Sequence, residues 1–277
     1  MGKIPETIHE INKKRKTKTM IDKSLGKKLN TTYKANLPFP YIVIDNFFPD
    51  FFLKKCKEEI MKHDIWHHDT IEWTQEFQVS KYYYPAEFTD MKEFHAKLPI
   101  TTMVMDYLNS EEFLEFLQDL TGHEQLYRDP VLLGGGIHRI KRGGKLSVHL
   151  DYNEHPETKK LRKLNVLIYL NENWKSEWGG NLELWSKDLQ NKEVEVEPIF
   201  NRMVIFDIEK APHGHPIPLN SPEDVDRYSL ALYYFTDNFV EPENKNQVVF
   251  FYDHSLGKKE NSETKKSDNL DLENLFK

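Results

Sequence analysis

The sequence has a single cysteine, Cys56, in 277 residues, which excludes an internal disulfide and a cysteine-based zinc site. No apolar run approaches the roughly 18–20 residues that span a bilayer. The first ten residues, MGKIPETIHE, also lack the apolar segment of a secretory signal. Glu6 stands where a myristoylation signal carries Ser or Thr, so Met1-Gly2 is not read as a lipid anchor. The expectation is a soluble, cytoplasmic protein with no membrane partner. There is no internal repeat, and Gly134-Gly135-Gly136 lacks the strand-to-helix context of a phosphate loop.

Aromatic residues make up 13% of the chain and a packed globule is expected. Acidic residues outnumber basic ones 45 to 38, for a formal net charge of -7. That charge is unevenly spread: residues 1–36 carry ten Lys or Arg against three acids, while residues 255–277 balance five against five. Three parts are therefore expected: a basic flexible arm (1–36), an acidic folded domain (37–254) and a polar flexible tail (255–277). Nothing in the acidic domain resembles a nucleic-acid platform, so only the arm offers a nucleic acid or an anionic surface any charge complement. The bland reading of that arm is a solvated segment.

Within the domain the hydrophobic period changes once. Tyr41 to Ile44 reads as a strand, Asp45 to Lys62 as a helix, and residues 98–121 as further helix, with Ser110 as an N-cap and Gly122 as a stop. Together these make a helical support over 45–121. From 131 to 238 the pattern is of strands: Gly136–Lys141, Lys145–Asp151, Leu164–Leu170, Asn181–Trp185, Glu193–Ile199, Met203–Asp207 and Tyr228–Thr236. Turn signals such as Gly143-Gly144, Gly179-Gly180 and Asn201 separate them. Helices followed by short antiparallel strands predict an α+β protein, mostly β with flanking helices, around a jelly-roll double sheet.

His149 and Asp151 alternate on one strand, which puts imidazole and carboxylate on one face. One of each leaves a divalent ion under-coordinated. His213, in the segment APHGHP, can supply the third donor, and His215 shares its face if that segment is extended. Two imidazoles and one carboxylate leave positions open, a pattern suited to non-haem iron(II). A lone H-x-D is by itself a weak signal, since a surface pair is the ordinary case. Arg227 and Ser229 share a face on an otherwise apolar strand, and a guanidinium pointing into an apolar interior calls for a carboxylate ligand. Tyr169 can present its phenol to the same anion from a neighbouring strand. The cluster His67-His68-Asp69 lies in a loop-like stretch and reads as polar surface, and Tyr82-Tyr83-Tyr84 as either a lid or edge packing.

The segments RKLNVLIYLNENW (162–174), GGNLELW (179–185), NRMVIF (201–206) and RYSLALYYF (227–235), with PFPYIVIDNFF before them, carry a resemblance. Together with H-x-D they resemble the prolyl-4-hydroxylase-like branch of the iron(II)- and 2-oxoglutarate-dependent dioxygenases, over residues 131–238. The resemblance implies a double-stranded β-helix of the cupin-like kind, with His149, Asp151 and His213 on iron(II) and no catalytic residue beyond them. It implies that Arg227 and Tyr169 hold the distal carboxylate of 2-oxoglutarate, with Ser229 beside them. O2 is then the other co-substrate, and ascorbate a candidate accompaniment. Asp151 occupies the position that related halogenases leave empty, which implies hydroxylation.

His138, Arg139 and His215 are candidate contacts to substrate or co-substrate. The implied substrate is a prolyl residue in a protein or peptide, and the acidic body leans towards a basic partner. A free amino acid, a sugar or another small metabolite is the alternative, since the segment Pro216 to Asp226 inserts an extra loop at the site mouth. A metal-free binding protein of the same fold is the reading from another class.

Overall fold

A computed structural model describes residues 22, 24–63, 67–68, 78–84, 95–129, 132, 135–155, 157–209, 211–237 and 249–250, with the backbone alone at 67–68, 78–84 and 249–250. Four α-helices have both ends among the described residues: α1 (Leu25–Ala35), α2 (Asp50–Lys62), α3 (Pro99–Leu108) and α4 (Glu111–Thr121). The strands, in chain order, are β1 (Tyr41–Asp45), β2 (His67–His68), β3 (Gln78–Tyr84), β4 (Tyr127–Arg128), β5 (Gly136–Leu150), β6 (Leu161–Tyr169), β7 (Leu182–Trp185), β8 (Lys192–Val196), β9 (Arg202–Asp207), β10 (His213–His215), β11 (Arg227–Thr236) and β12 (Val249–Phe250).

The strands join in the order β1-β9-β6-β11-β5-β10-β7-β8, and every pairing between them is antiparallel. β3 and β12 add to β5, β2 to β3, and β4 to β11. This nearly closed sheet is the expected jelly-roll core.

Alternation along the central strands divides their side chains between two cores. Leu164, Val166 and Ile168 of β6, Met203 and Ile205 of β9, and Leu230, Leu232 and Tyr234 of β11 join Leu53, Leu108, Phe113 and Leu117 of the helices. The Tyr234 hydroxyl donates to the Leu108 carbonyl at 2.7 Å, tying the sheet to α3. The opposite face, with Leu167 and Tyr169 of β6, Val204 and Phe206 of β9, and Leu182 and Leu184 of β7, lines the interior of the sheet. At about 1.5–3 kcal/mol for each fully buried large apolar side chain, these two clusters are the main source of stability.

The helix ends obey local chemistry. The Ser110 hydroxyl accepts from the Phe113 amide at 3.3 Å, Glu111 and Glu112 occupy the first turn, and Gly122 ends α4 at φ +81°. The expected helix over 98–121 is therefore broken in two at Asn109-Ser110. The helix expected from Asp45 starts at Asp50, because Asp45 completes the pairing of β1 with Arg202 of β9.

Several sequence expectations are overturned. Residues 25–35, assigned to a flexible arm, form α1, whose Tyr33 is buried and whose Asn30 amide donates to the Asp119 and Leu120 carbonyls at 3.1 and 2.9 Å. A charge count misses this because its lysines face out while Gly26 lets the backbone approach α4 closely. The arm before residue 22 and the tail after residue 250 lie outside the described residues, as does Asp69 of the suspected His-His-Asp cluster.

Secondly, Gly143-Gly144 makes no turn. β5 runs unbroken through it, with Gly143 at φ +75°, and the glycine backbone pairs instead with Leu219: Gly143 N–H donates to its carbonyl at 2.8 Å and Leu219 N–H to Gly144 at 3.0 Å. The extra loop 216–226 is thus docked along β5. Tyr82 to Tyr84 also pair with β5, Tyr83 opposite His138. His67-His68, expected in a loop, pair with Tyr83 and Tyr82 as β2. Among the described residues no helix is long and apolar enough to cross a membrane.

Candidate metal centre

His149 lies near the end of β5 and Asp151 just past it, while His213 opens β10 as the register partner of His149. Antiparallel register places opposed side chains on one face, so two residues 64 positions apart in sequence meet by ladder geometry. One donor atom from each of His149, Asp151 and His213 lies within 4.8 Å of the others, and all three residues are buried. His149 Nε2 is 3.4 Å from Asp151 Oδ1, and His213 Nε2 is 3.8 Å from Asp151 Oδ2.

Each imidazole is oriented from its own strand. His149 Nδ1 lies 2.9 Å from the Ser147 carbonyl, and His213 Nδ1 lies 2.9 Å from the Ala211 carbonyl. A carbonyl only accepts, so Nδ1 carries the proton and Nε2 presents a lone pair to the centre. Gly214 is required beside His213, because a Cβ there would meet the Leu146 and Ser147 carbonyl oxygens at 2.8 Å.

Burial pushes the Asp151 carboxyl pKa up. The neighbouring His149 and His213 imidazoles and the charge of Arg162 overcome that push and hold it well below the usual carboxylate range. Its Oδ2 is buried with no hydrogen-bond partner. An ionised acid with an orphaned oxygen between two imidazole lone pairs fits a divalent cation, and three such donors leave the open positions of a ferrous site.

Arg162 stands behind Asp151, with Nη1 3.8 Å from Oδ2 and the guanidinium 3.7 and 3.6 Å from the ring centroids of Tyr152 and Tyr233. Period-2 alternation from Leu164 sends Arg162 to the helix side. A register shift between Tyr234 and Phe235 turns it inward instead, opposite Phe235. No pattern of spacing announces that bulge.

The second half of the site lies along β11 and β6. Arg227 is only 4% exposed, and among the described residues no carboxylate pairs with it. Burial lowers its pKa, and Tyr169 opposes that shift. Its Nε donates to the Gly180 carbonyl at 2.9 Å, and its Nη2 lies 3.4 Å from the Tyr169 hydroxyl. A buried guanidinium without a counter-ion is costly, and a ligand carboxylate is the group that offsets the cost. Gly180 sits at φ +73°, and a Cβ on it would strike Leu219 at 2.5 Å and the Arg227 side chain at 3.0 Å. Ser229 is buried on the same face, opposite both Tyr169 and His138.

The remaining candidates divide. His138, opposite Ser229, shares the interior face. Arg139 pairs with Tyr228 on the other face and donates to Asp226 Oδ2 at 2.6 Å, so it serves the loop rather than the interior. His215 is buried opposite Leu146, past the register shift that follows His213, and is not part of the three-donor cluster. Asn171 anchors the loop after β6: its amide donates to the Pro198 and Tyr228 carbonyls and accepts from Tyr228 N–H. Trp174 and Trp178 stack edge-on at the rim.

Comparisons with known proteins converge on this same region. The family model described as the 2OG-Fe(II) oxygenase superfamily matches residues 135–235. The chain is 24% identical over 208 residues to a prolyl 3,4-dihydroxylase of Ostreococcus tauri, covering 72% of this chain and 38% of that protein. It therefore spans well under half the length of that curated relative. Among solved structures it resembles a prolyl hydroxylase of Trichoplax adhaerens in complex with a hypoxia inducible factor peptide, at TM-score 0.55 and 16% identity, covering 83% of this chain and 94% of that one. It also resembles a prolyl 4-hydroxylase of Phytophthora capsici, at TM-score 0.50 and 23% identity, covering 77% and 62%. The segment matched by the family model carries β5 to β11 and every residue of the centre.

Proposed function

We propose that the protein is an iron(II)- and 2-oxoglutarate-dependent dioxygenase that hydroxylates a prolyl residue in a protein or peptide. The observation that carries this reading is the convergence of His149, Asp151 and His213, together with Arg227, a buried cation with no anionic partner among the described residues. In this reading the three donors hold ferrous ion, and Arg227 and Tyr169 hold the distal carboxylate of 2-oxoglutarate. Iron(II) there supplies the reaction with O2 in which the keto acid leaves as succinate and CO2 and one oxygen atom enters a substrate C–H bond.

The chain's own residues do the rest. The Ser147 and Ala211 carbonyls fix both imidazole tautomers, Arg162 neutralises and orients the back of Asp151, and the Gly180 carbonyl aims the Arg227 guanidinium. Ser229 lies beside the distal carboxylate, and His138 faces the same chamber from β5. The aromatic and aliphatic lining, Phe206, Leu184 and Leu167, excludes water and so strengthens each charge contact. The prolyl assignment is supported by what the curated relative and the peptide-bound structural neighbour are described as doing.

The test supplies iron(II), 2-oxoglutarate and O2 with proline-containing peptides and follows succinate alongside peptide mass. A gain of one oxygen atom on proline, stoichiometric with succinate, is the expected result. Succinate formation stimulated only by free metabolites would replace the prolyl assignment.

A further inference from the structure

The extra loop 216–226 does not touch the metal donors, yet it reaches Arg227. Leu219 is buried, although Ile217 two residues before it is 49% exposed. The backbone of Leu219 is clamped on both sides. Its carbonyl accepts from Gly143 N–H at 2.8 Å, its N–H donates to the Gly144 carbonyl at 3.0 Å, and the next amide, Asn220, donates to the Trp178 carbonyl at 2.9 Å. Residues 219–220 therefore bridge β5 and the turn that leads into β7. Further along the loop, the buried Ser221 hydroxyl donates to the Val225 carbonyl at 2.6 Å, and Asp226 Oδ2 accepts from Arg139 Nε at 2.6 Å. A loop tied at both ends and in its middle is a fixed wall rather than a lid.

The side chain of Leu219 points at the co-substrate arginine. A Cβ built on Gly180 would lie 2.5 Å from Leu219 Cδ2, 3.0 Å from Arg227 Cδ and 3.3 Å from Arg227 Nε, so both side chains crowd the space that glycine leaves open. Arg227 Nε is committed to the Gly180 carbonyl, which leaves the terminal nitrogens to a ligand. An alkyl group beside a guanidinium brings no charge of its own. What it does is exclude water, and a charge contact weakens severalfold where water enters. We propose that Leu219 is a positioning residue for the co-substrate: it holds the Arg227 side chain against Gly180 and shields it from water, so that the loop 216–226 closes the distal-carboxylate end of the chamber. This rests on the 2-oxoglutarate reading above, and it gives the loop a part in binding the diacid.

The test uses the whole protein loaded with Mn(II), titrated calorimetrically at low and at high salt. The ligands are 2-oxoglutarate and 2-oxobutyrate, a keto acid without the distal carboxylate. For Leu219→Ala the expected result is 2-oxoglutarate binding about tenfold weaker than in wild type and weaker still as salt is added, since an ion pair opened to water is screened. Binding of 2-oxobutyrate and of Mn(II) is unchanged, and Leu219→Met, which refills the space, recovers most of the diacid affinity. Unchanged 2-oxoglutarate affinity in Leu219→Ala overturns the proposal. So does an equal loss for both keto acids, which would reduce Leu219 to general packing. Leu219→Val is read in the same way should the alanine variant fail to fold. Failure of the wild-type protein to bind 2-oxoglutarate would instead remove the dioxygenase reading itself, an outcome the wild-type titration reports separately.

Discussion

His149 and His213 face each other across the β5–β10 pairing with ring centroids 4.5 Å apart, and each is held by the carbonyl two residues before it on its own segment. The repeated device makes the two imidazoles equivalent ligands. It also separates His213 from His215, which shares its strand but not the cluster. Replacing His213 with Ala is expected to lower Mn(II) or Fe(II) affinity by more than the 10–100-fold typical of losing a supporting contact. Replacing His215 with Ala is expected to leave metal affinity within a few-fold of wild type. Metal content after equilibrium dialysis checks both, and the reverse ranking would make His215 the ligand.

Arg227 makes a matching prediction for the co-substrate. Arg227→Gln removes the charge that faces the distal carboxylate, so 2-oxoglutarate binding is expected to weaken by about 100-fold or more, with metal binding intact. Arg227→Lys should recover little of the loss, because an ammonium cannot both donate to the Gly180 carbonyl and grip a carboxylate in the plane of a fork. Gly180→Ala tests the same arrangement from the backbone. Its Cβ collides with Leu219 and Arg227 at a positive φ, so both stability, by about 1 kcal/mol or more, and 2-oxoglutarate affinity should fall together. Calorimetric titration and thermal melts separate the two effects.

The parts of the site that the sequence displays are those with a fixed period. H-x-D, the Arg227–Ser229 pair and Tyr169 obey strand alternation, and the structure puts Arg227, Ser229 and Tyr169 on one interior face. Arg139 was indistinguishable from its neighbour His138 in sequence, since only the register with Tyr228 reveals which face it takes. Arg162 was hidden by a bulge. The Gly143-Gly144 pair misled for a related reason. Its positive φ is genuine, but the strand absorbs it because a distant loop, through Leu219, supplies the hydrogen bonds that a turn would otherwise make. Long-range pairings leave no local mark.

Arg162 carries a prediction because it touches Asp151 without touching the metal donors of the two histidines. Its guanidinium lies between the Tyr152 and Tyr233 rings, where flat stacking and charge act together. Arg162→Met keeps much of the apolar stem and removes the charge. Metal affinity is expected to fall 10–100-fold, the range usual for losing an outer partner of a ligand. Arg162→Lys should fall nearly as far, because a point charge does not stack between two rings. Retained metal affinity in both variants would assign Arg162 to packing alone.

Asp207, at the end of β9 and away from the metal centre, sets an acid limit on stability. Burial pushes its carboxyl pKa up, but the His123 imidazole, 3.9 Å away, and the charge of Lys163, 3.1 Å away, outweigh that and hold it below the ordinary value. A carboxyl whose folded pKa lies below its unfolded one stabilises the protein above the unfolded value, near 3.8, and that contribution disappears as pH falls through the folded pKa. Asp207→Asn cannot ionise, and leaves Lys163 with Glu209 as its remaining acid partner. The variant is therefore expected to melt below wild type at pH 7, and the gap should close as the pH is lowered from 5 towards 3. Thermal melts across that range measure the gap directly, and a gap that stays constant to pH 3 would mean that Asp207 stabilises the fold by its hydrogen bonds rather than by its charge.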